Sequence, residues 1–157
     1  MRLVLGGALA AVALAGCSFN ASPAAGLKFA APPGWKPSPG IMGFMQFWQS
    51  PGGEREALVL VKSPRPIKIG DIFQNGELSG TVKNATVERQ EATTICARQP
   101  AIYAEALGES SGGAQAHVEL MMTNVAGASY IAMYIRPAGA SPNPMAESAL
   151  RLLCPKS

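Results

Sequence analysis

The clearest pattern of hydrophobic and polar positions lies in the second half of the chain, where two apolar runs follow one another. They span residues 116–125 and 129–135 and are joined across residues 126–128. Neither run alternates strictly between apolar and polar residues, since Met121 shares a predicted face with Glu119. Strands that are apolar on both faces lie inside a sheet that is covered on both sides. These two runs therefore predict the centre of a sheet.

Shorter apolar and β-branched runs predict further strands on either side of this pair. Connections rich in proline are expected at 36–40 and 61–69, and hairpin tips at 50–53 and 109–113. Pro100 limits where the strand that follows it can begin. The further predicted strands are 27–30, 44–48, 57–61, 81–96 with an irregular middle around Asn84, and 101–107.

Two helices are predicted from capping residues and apolar spacing. Asp71 is a suitable N-cap for a short helix that ends near Ser79. Asn143 is a suitable N-cap for a second helix, with Pro144 at its first position and Pro155 after its end. The apolar residues of the second helix recur with the spacing of a single stripe: Ala146, Ala149, Leu150 and Leu153.

Strands joined mainly by hairpins, with few helices between them, are typical of the α+β class. We therefore expect residues 27–157 to form a single α+β domain. It is built on one largely antiparallel sheet, which the short middle helix and the C-terminal helix flank. A chain of 157 residues is long enough for one sizeable hydrophobic core.

The N-terminal segment has the layout of an export signal. Arg2 precedes an uncharged apolar run at 3–13, which leads into Leu14-Ala15-Gly16-Cys17. This motif resembles the lipobox of bacterial lipoproteins. The resemblance implies cleavage before Cys17 and attachment of a diacylglyceryl group to its sulfur. An ordinary secretory signal and a buried helix are the alternatives, whereas a membrane-spanning helix needs about 20 residues.

The same resemblance implies a division of the chain and a location. Residues 1–16 would be removed, and 17–26 would form the lipidated N-terminus and a flexible linker. The lipid anchor at Cys17 would hold the domain in the bacterial cell envelope, at a membrane facing the periplasm. Ser18 is not the aspartate that retains lipoproteins at the inner membrane of enteric bacteria. The outer membrane is therefore favoured in a cell with two membranes.

Lipidation of Cys17 leaves Cys96 and Cys154, which have only one possible pairing. An exported protein meets an oxidising compartment, where a disulfide persists. Closing this loop of 58 residues stabilises the fold by about 4 kcal/mol in the chain-entropy model. Two separate buried thiols and a redox pair are the alternatives to the expected structural disulfide.

Charge and motif content argue against several classes of function. The 13 Lys and Arg residues against 10 Asp and Glu form no obvious basic stripe, so we expect no nucleic-acid binding. A single histidine does not supply a zinc site, and the Gly-Gly pairs lack the pattern of a phosphate loop. We expect neither a metal nor a cofactor.

A hydrolase is a further alternative for this chain. His117 is the only histidine, with Ser110 and Ser111 nearby in sequence and Glu109 or Glu119 as possible acids. No nucleophile elbow surrounds these serines. We therefore expect a protein that is not an enzyme.

The segment Phe29-Ala-Ala-Pro-Pro-Gly-Trp35, followed by a strand ending at Trp48 and by the two helices, resembles the PsbP-like α/β sandwich. That fold also occurs in DcrB-type lipoproteins. The resemblance covers nearly all of residues 27–155 and implies a non-catalytic accessory role at a membrane surface, with an envelope protein as partner.

Two candidate contact surfaces follow from residue type. Aromatic residues Trp35, Phe44, Phe47 and Trp48 form either a binding surface or part of the core. If they line a pocket between sheet and helix, the alternative function is a small-ligand or lipid carrier. A cationic stretch at 62–68, with two lysines and an arginine, either faces anionic lipid headgroups or is a solvated loop.

Overall fold

The computed structural model describes residues 27–38, 45–51, 55–73 and 82–154, which form a seven-stranded antiparallel sheet with two short helices. The predicted export signal, Cys17 and the linker lie outside the described residues. Within the described part of the chain, neither helix is long and apolar enough to cross a membrane. The elements in chain order are β1 (Lys36–Ser38), β2 (Met45–Gln49), β3 (Ala57–Ser63), α1 (Ile69–Ile72), β4 (Val82–Ile95), β5 (Gln99–Ser110), β6 (Gln115–Val125), β7 (Ala128–Pro137) and α2 (Pro144–Arg151).

The sheet has the strand order β1-β2-β3-β7-β6-β5-β4, so the α+β class expected from the sequence is confirmed. Strands β6 and β7 lie inside the sheet, as their apolar pattern predicts. Their turn places Ala126 at φ 49° and Gly127 at φ 80°. Positive φ at both central residues is what a two-residue hairpin turn of type I′ requires.

Helix α2 begins where the sequence predicts it. The side chain of Asn143 accepts a hydrogen bond from the backbone N–H of Met145 at 3.0 Å. The predicted apolar stripe is buried against the sheet. Beyond the helix, a disulfide joins Cys154 to Cys96, with their Cα atoms 5.5 Å apart, so the expected pairing is the one present.

Apolar side chains form one cluster on each face of the sheet. The first cluster lies under α2 and contains Trp35, Trp48 and Leu58. The second lies on the opposite face, where Ile72 of α1 packs with residues such as Val118 and Met133. Both faces of the central strands are therefore covered by protein over part of their length.

Two strand predictions near prolines are wrong. Residues 36–38 form β1 instead of a connection, and Pro37 lies opposite Trp48 of β2. Proline is tolerated there because β1 is an edge strand. Strand β5 begins at Gln99 and includes Pro100, whose carbonyl accepts a hydrogen bond from the Thr123 hydroxyl at 2.8 Å. This side-chain contact satisfies the carbonyl at the strand end.

The first helix differs from its predicted bounds. It begins after Lys68, and Asp71 is the third helical residue, whose carboxylate accepts a hydrogen bond from the Lys68 backbone N–H at 3.2 Å. Residues 74–80 lie outside the described residues. The predicted strand at 27–30 is reduced to an isolated bridge at Leu27, and β3 continues to Ser63, into the predicted connection.

The irregular middle of β4 is confirmed. Asn84 adopts φ 51°, and the register with β5 shifts between Lys83 and Thr86. Gly108 of β5 lies against this bulge. A Cβ atom on Gly108 would clash with Val82 Cγ1 and would come within 2.8 Å of the Lys83 carbonyl oxygen. The close approach of the two strands therefore requires glycine.

Candidate polar site beside the C-terminal helix

Ionisable side chains from four neighbouring strands meet on the sheet face that carries α2. In the strand register, Arg89 lies opposite Glu105, and Glu105 lies opposite Glu119. His117 lies opposite Arg136. Cross-strand neighbours share one face, so these residues continue the face on which α2 packs. The polar cluster is defined by Glu88, Arg89, Glu91, Tyr103, Glu105, His117, Glu119 and Arg136.

A tyrosine joins the two central carboxyl groups of the polar cluster. Like charges directly opposite each other destabilise a sheet. The Tyr103 hydroxyl lies 3.0 Å from Glu105 Oε1 and 3.2 Å from Glu119 Oε2. Because a hydroxyl has a single proton to donate, the two carboxyl groups share the Tyr103 hydroxyl as acceptors.

Glu119 is the more buried of these two carboxyl groups. It is 5% exposed, and burial is the main cause that raises its pKa above the ordinary value. Repulsion from Glu147 of α2 acts in the same direction, whereas Tyr103 and Arg136 oppose it. The Arg136 guanidinium lies 3.6 Å from Glu119 Oε1, so the charged form also has a partner.

His117 lies among carboxylates. Its Nε2 atom is 3.9 Å from an oxygen of Glu88 and 3.9 Å from one of Glu105, and its Nδ1 is 4.0 Å from Glu119 Oε1. Burial lowers the pKa of His117, and the nearby Arg136 adds to this effect. The imidazole is therefore mainly neutral at pH 7. Among the described residues, no group of three or more His, Cys, Asp or Glu side chains is arranged to hold a metal ion.

Hydrogen bonds fix the start of α2 next to the polar cluster. The buried Tyr134 hydroxyl donates to Glu56 Oε1 at 2.6 Å and accepts from the backbone N–H of Asn143 at 3.0 Å. Arg136 donates from Nη1 to the carbonyl of Ala140 at 2.9 Å. These contacts tie the loop before α2 to β7 and to the residue before β3.

The outer part of the polar cluster is open to solvent. The side chains of Arg89 and Glu91 are 56% and 47% exposed and form an ion pair at 2.8 Å. Arg89 also lies 3.4 Å from Glu105 and stacks over the Tyr103 ring at 5.9 Å. The polar cluster thus has a buried centre and an exposed rim.

Two cavities formed by described residues flank α2. One, of about 90 Å³, lies between the helix and the polar cluster, and its lining is Tyr103, Glu119, Met121, Glu147, Leu150 and Arg151. The other, of about 390 Å³, lies near the start of the helix, and its lining is Arg55, Glu56, Pro137, Ala140, Ser141, Pro142 and Asn143. Neither of these two cavities is lined by the tryptophans on which the carrier hypothesis relied.

The predicted aromatic surface is not brought together. Trp48 packs against Phe29 with ring centroids 5.2 Å apart, and Trp35 packs against Tyr134 at 6.4 Å. Both tryptophans belong to the core cluster under α2. Phe47 packs on the opposite face of the sheet, and Phe44 lies outside the described residues. For the two tryptophans, the geometry supports the core interpretation.

Sequence reasoning did not identify the polar cluster as a site. Its members come from four strands and from sequence positions up to 48 residues apart, and only strand register brings them together. One signal was present: Glu119 interrupts the apolar run predicted to be buried on both faces. A charged residue at a buried position requires partners, and that requirement points to a cluster.

Comparisons with known proteins identify the fold but no family. No family model and no curated protein matches this chain. PA94 from Pseudomonas aeruginosa, a protein of unknown function, is similar in structure, with a TM-score of 0.56 and 13% identity over 72% of this chain and 83% of that protein. A protein from Bacteroides thetaiotaomicron aligns with a TM-score of 0.55 and 15% identity over 86% of this chain. The chain spans 46% of the length of that second protein.

A PsbP protein is also among the structures similar to this chain. Cyanobacterial PsbP (CyanoP) from Synechocystis aligns with a TM-score of 0.47 and 20% identity over 71% of this chain and 74% of that protein. Similarity at this level does not assign the chain to a family. All three likenesses concern the fold alone.

Proposed function

We propose that this protein is a lipid-anchored protein of the bacterial cell envelope, with a non-catalytic binding or scaffolding role. The lipobox-like Leu14-Ala15-Gly16-Cys17 motif supports the anchor. The observation that supports binding is the polar cluster, in which buried charged groups adjoin an exposed rim. Burying charge inside a sheet is costly, and apolar residues at these positions would stabilise the fold better. A cluster kept at that cost is a candidate for recognition.

The arrangement of the polar cluster favours binding over catalysis. Catalysis by a serine–histidine pair needs a hydroxyl within hydrogen-bonding distance of the imidazole. The described ionic neighbours of His117 are instead Glu88, Glu105 and Glu119. Ser110 and Ser111 lie at the end of β5 and in the turn that follows it.

The charge of the polar cluster indicates the chemistry of its partner. Glu147 and Arg151 of α2 line the small cavity beside the polar cluster. Together with the polar cluster, they form a set in which carboxylates outnumber arginines. We therefore propose that the envelope partner presents a basic segment to this face. The carboxylates are Glu88, Glu91, Glu105, Glu119 and Glu147, and the arginines are Arg89, Arg136 and Arg151.

Site-specific photo-crosslinking in cells tests this proposal. A photoreactive residue at position 91 lies on the rim, whereas the same residue at position 90 points to the opposite face of the same strand. Both positions are exposed, so they form a matched pair. We expect a discrete protein adduct from position 91 that is absent from position 90. Equal adducts from both positions, or none from 91, would contradict binding through the polar cluster.

A separate experiment tests the anchor. Replacing Cys17 by Ser removes the sulfur to which the diacylglyceryl group would be attached. We expect the Cys17→Ser protein to lose acylation, measured by incorporation of labelled palmitate, and to leave the membrane fraction. Firm membrane association of the unacylated variant would refute the lipoprotein assignment.

A further inference from the structure

One end of the sheet gathers the last residues of β3, the β4–β5 turn and the β6–β7 turn. Ser63 lies opposite Ser129, and the backbone N–H of Ile67 donates to the Ser129 hydroxyl at 2.7 Å. Asn124 donates to the carbonyl of Ile67 at 3.3 Å, and the Gln99 side chain lies 3.4 Å from the carbonyl of Asn124. We call this the hairpin end of the sheet.

The described part of the chain also begins at the hairpin end. The backbone N–H of Lys28 donates to the carbonyl of Cys154 at 2.6 Å. Cys154 is joined by the disulfide to Cys96, which lies in the β4–β5 turn. Leu27 is the first described residue, and ten sequence positions separate it from Cys17. A chain of that length reaches at most about 35 Å, so a lipid on Cys17 would keep the hairpin end close to the bilayer.

The net positive charge of the described residues is concentrated at the hairpin end. Asp71 is the only carboxylate that the described residues contribute there, and the five cations are Lys28, Lys62, Arg65, Lys68 and Arg98. The remaining described residues carry six Lys and Arg against seven Asp and Glu. Four of the five cations are exposed, and Lys62 is half-buried with its Nζ 5.6 Å from the Tyr130 ring.

We propose that the hairpin end docks onto anionic phospholipid headgroups and so orients the domain on the membrane. This proposal rests on the proposed lipid anchor, which keeps the cations within reach of the surface. Cations near an anionic leaflet are attracted within about one Debye length, roughly 8–10 Å at physiological salt. The strands then point away from the bilayer. Glu105 lies six residues along β5 from Gln99, so the polar cluster sits about 20 Å from the headgroups.

Fluorescence quenching in vesicles tests the docking on the acylated protein. Because Cys96 and Cys154 are paired and Cys17 is acylated, one added cysteine carries the only free thiol for a dye. Pro64→Cys places the dye in the exposed loop at the hairpin end, and Ser111→Cys places it in the turn at the opposite end. We expect quenching by nitroxide-labelled headgroups at position 64 in phosphatidylglycerol vesicles, less in phosphatidylcholine vesicles, and little at position 111.

Charge variants provide the matched control. Replacing Arg65 and Lys68 by Gln should lower the ratio of docked to undocked protein by about 25-fold. Each cation near the surface contributes a factor of about five to that ratio. Replacing Lys36 and Lys83, which lie toward the opposite end, removes the same charge and should leave quenching unchanged. Quenching at position 64 that is equal in both lipids, or equally reduced by both double variants, would overturn the docking proposal. Failure of the protein to float with either vesicle would instead refute the anchor.

Discussion

Replacing Tyr134 by Phe removes a single buried hydroxyl that holds three parts of the fold together. That hydroxyl donates to Glu56 Oε1 at 2.6 Å and accepts from the Asn143 backbone N–H at 3.0 Å. A hydrogen bond to a charged group contributes about 1.5–3 kcal/mol, and a neutral one about 1 kcal/mol. Glu56 Oε2 is buried and has no hydrogen-bond partner among the described residues, so the substitution would leave both carboxylate oxygens without one there.

We therefore expect Tyr134→Phe to lower the free energy of unfolding by about 3 kcal/mol, from a total of roughly 5–15 kcal/mol. For a domain of this size, that change lowers the Tm by about 10 °C. Urea unfolding followed by circular dichroism measures the change. The midpoint should fall while the slope stays constant, because the surface exposed on unfolding is unchanged.

Tyr130 offers a matched control on the same strand and the same face. It lies four residues before Tyr134, and its hydroxyl makes no hydrogen bond to the other described residues, although Lys62 stacks over its ring. Tyr130→Phe should change the free energy of unfolding by less than about 0.5 kcal/mol. If the two substitutions had equal effects, the hydrogen bonds of Tyr134 would not be what holds α2 in place.

Two further substitutions test other parts of the fold. Burial and Arg136 lower the pKa of His117, so the folded state should lose stability as the pH falls below about 6.5, where the unfolded histidine takes up a proton. The urea midpoints at pH 7.5 and pH 5.5 should therefore differ less in His117→Gln than in the wild-type protein. An unchanged difference would show that His117 does not cause the loss of stability at the lower pH. Gly108→Ala places a methyl group against Val82 and the Lys83 carbonyl, and should destabilise the fold by about 1–3 kcal/mol through overpacking, measured by thermal unfolding. A stability equal to that of the wild-type protein would mean that the bulge of β4 moves aside without cost.

The sequence predicted the elements whose boundaries depend on local chemistry. Helix α2 has a capping residue, a proline at its first position and a single apolar stripe, and all three act within the helix itself. Strands β6 and β7 are long and apolar on both faces, which is a signal that only a central position explains. Cysteine counting predicted the disulfide because the lipobox hypothesis set Cys17 aside and so left one pairing.

The errors occurred where tertiary context overrides local preference. Pro37 is tolerated because its strand lies at the edge of the sheet, and the strand order cannot be derived from local sequence. Pro100 lies at the start of a strand whose neighbour supplies the Thr123 hydroxyl. The polar cluster was missed for the same reason, since Glu105 and Glu119 meet only through the register of β5 with β6.

The attachment of α2 at both ends holds Glu147 and Arg151 beside the polar cluster before the proposed partner arrives. A helix of eight residues is marginal on its own, so its position depends on what holds it. At its start, the Asn143 backbone is bonded to the buried Tyr134, and after its end the disulfide joins Cys154 to Cys96. Between these two points, Glu147 lines the small cavity together with Glu119. A surface held rigid in this way has little conformational entropy to lose on binding, which would favour affinity for the proposed partner.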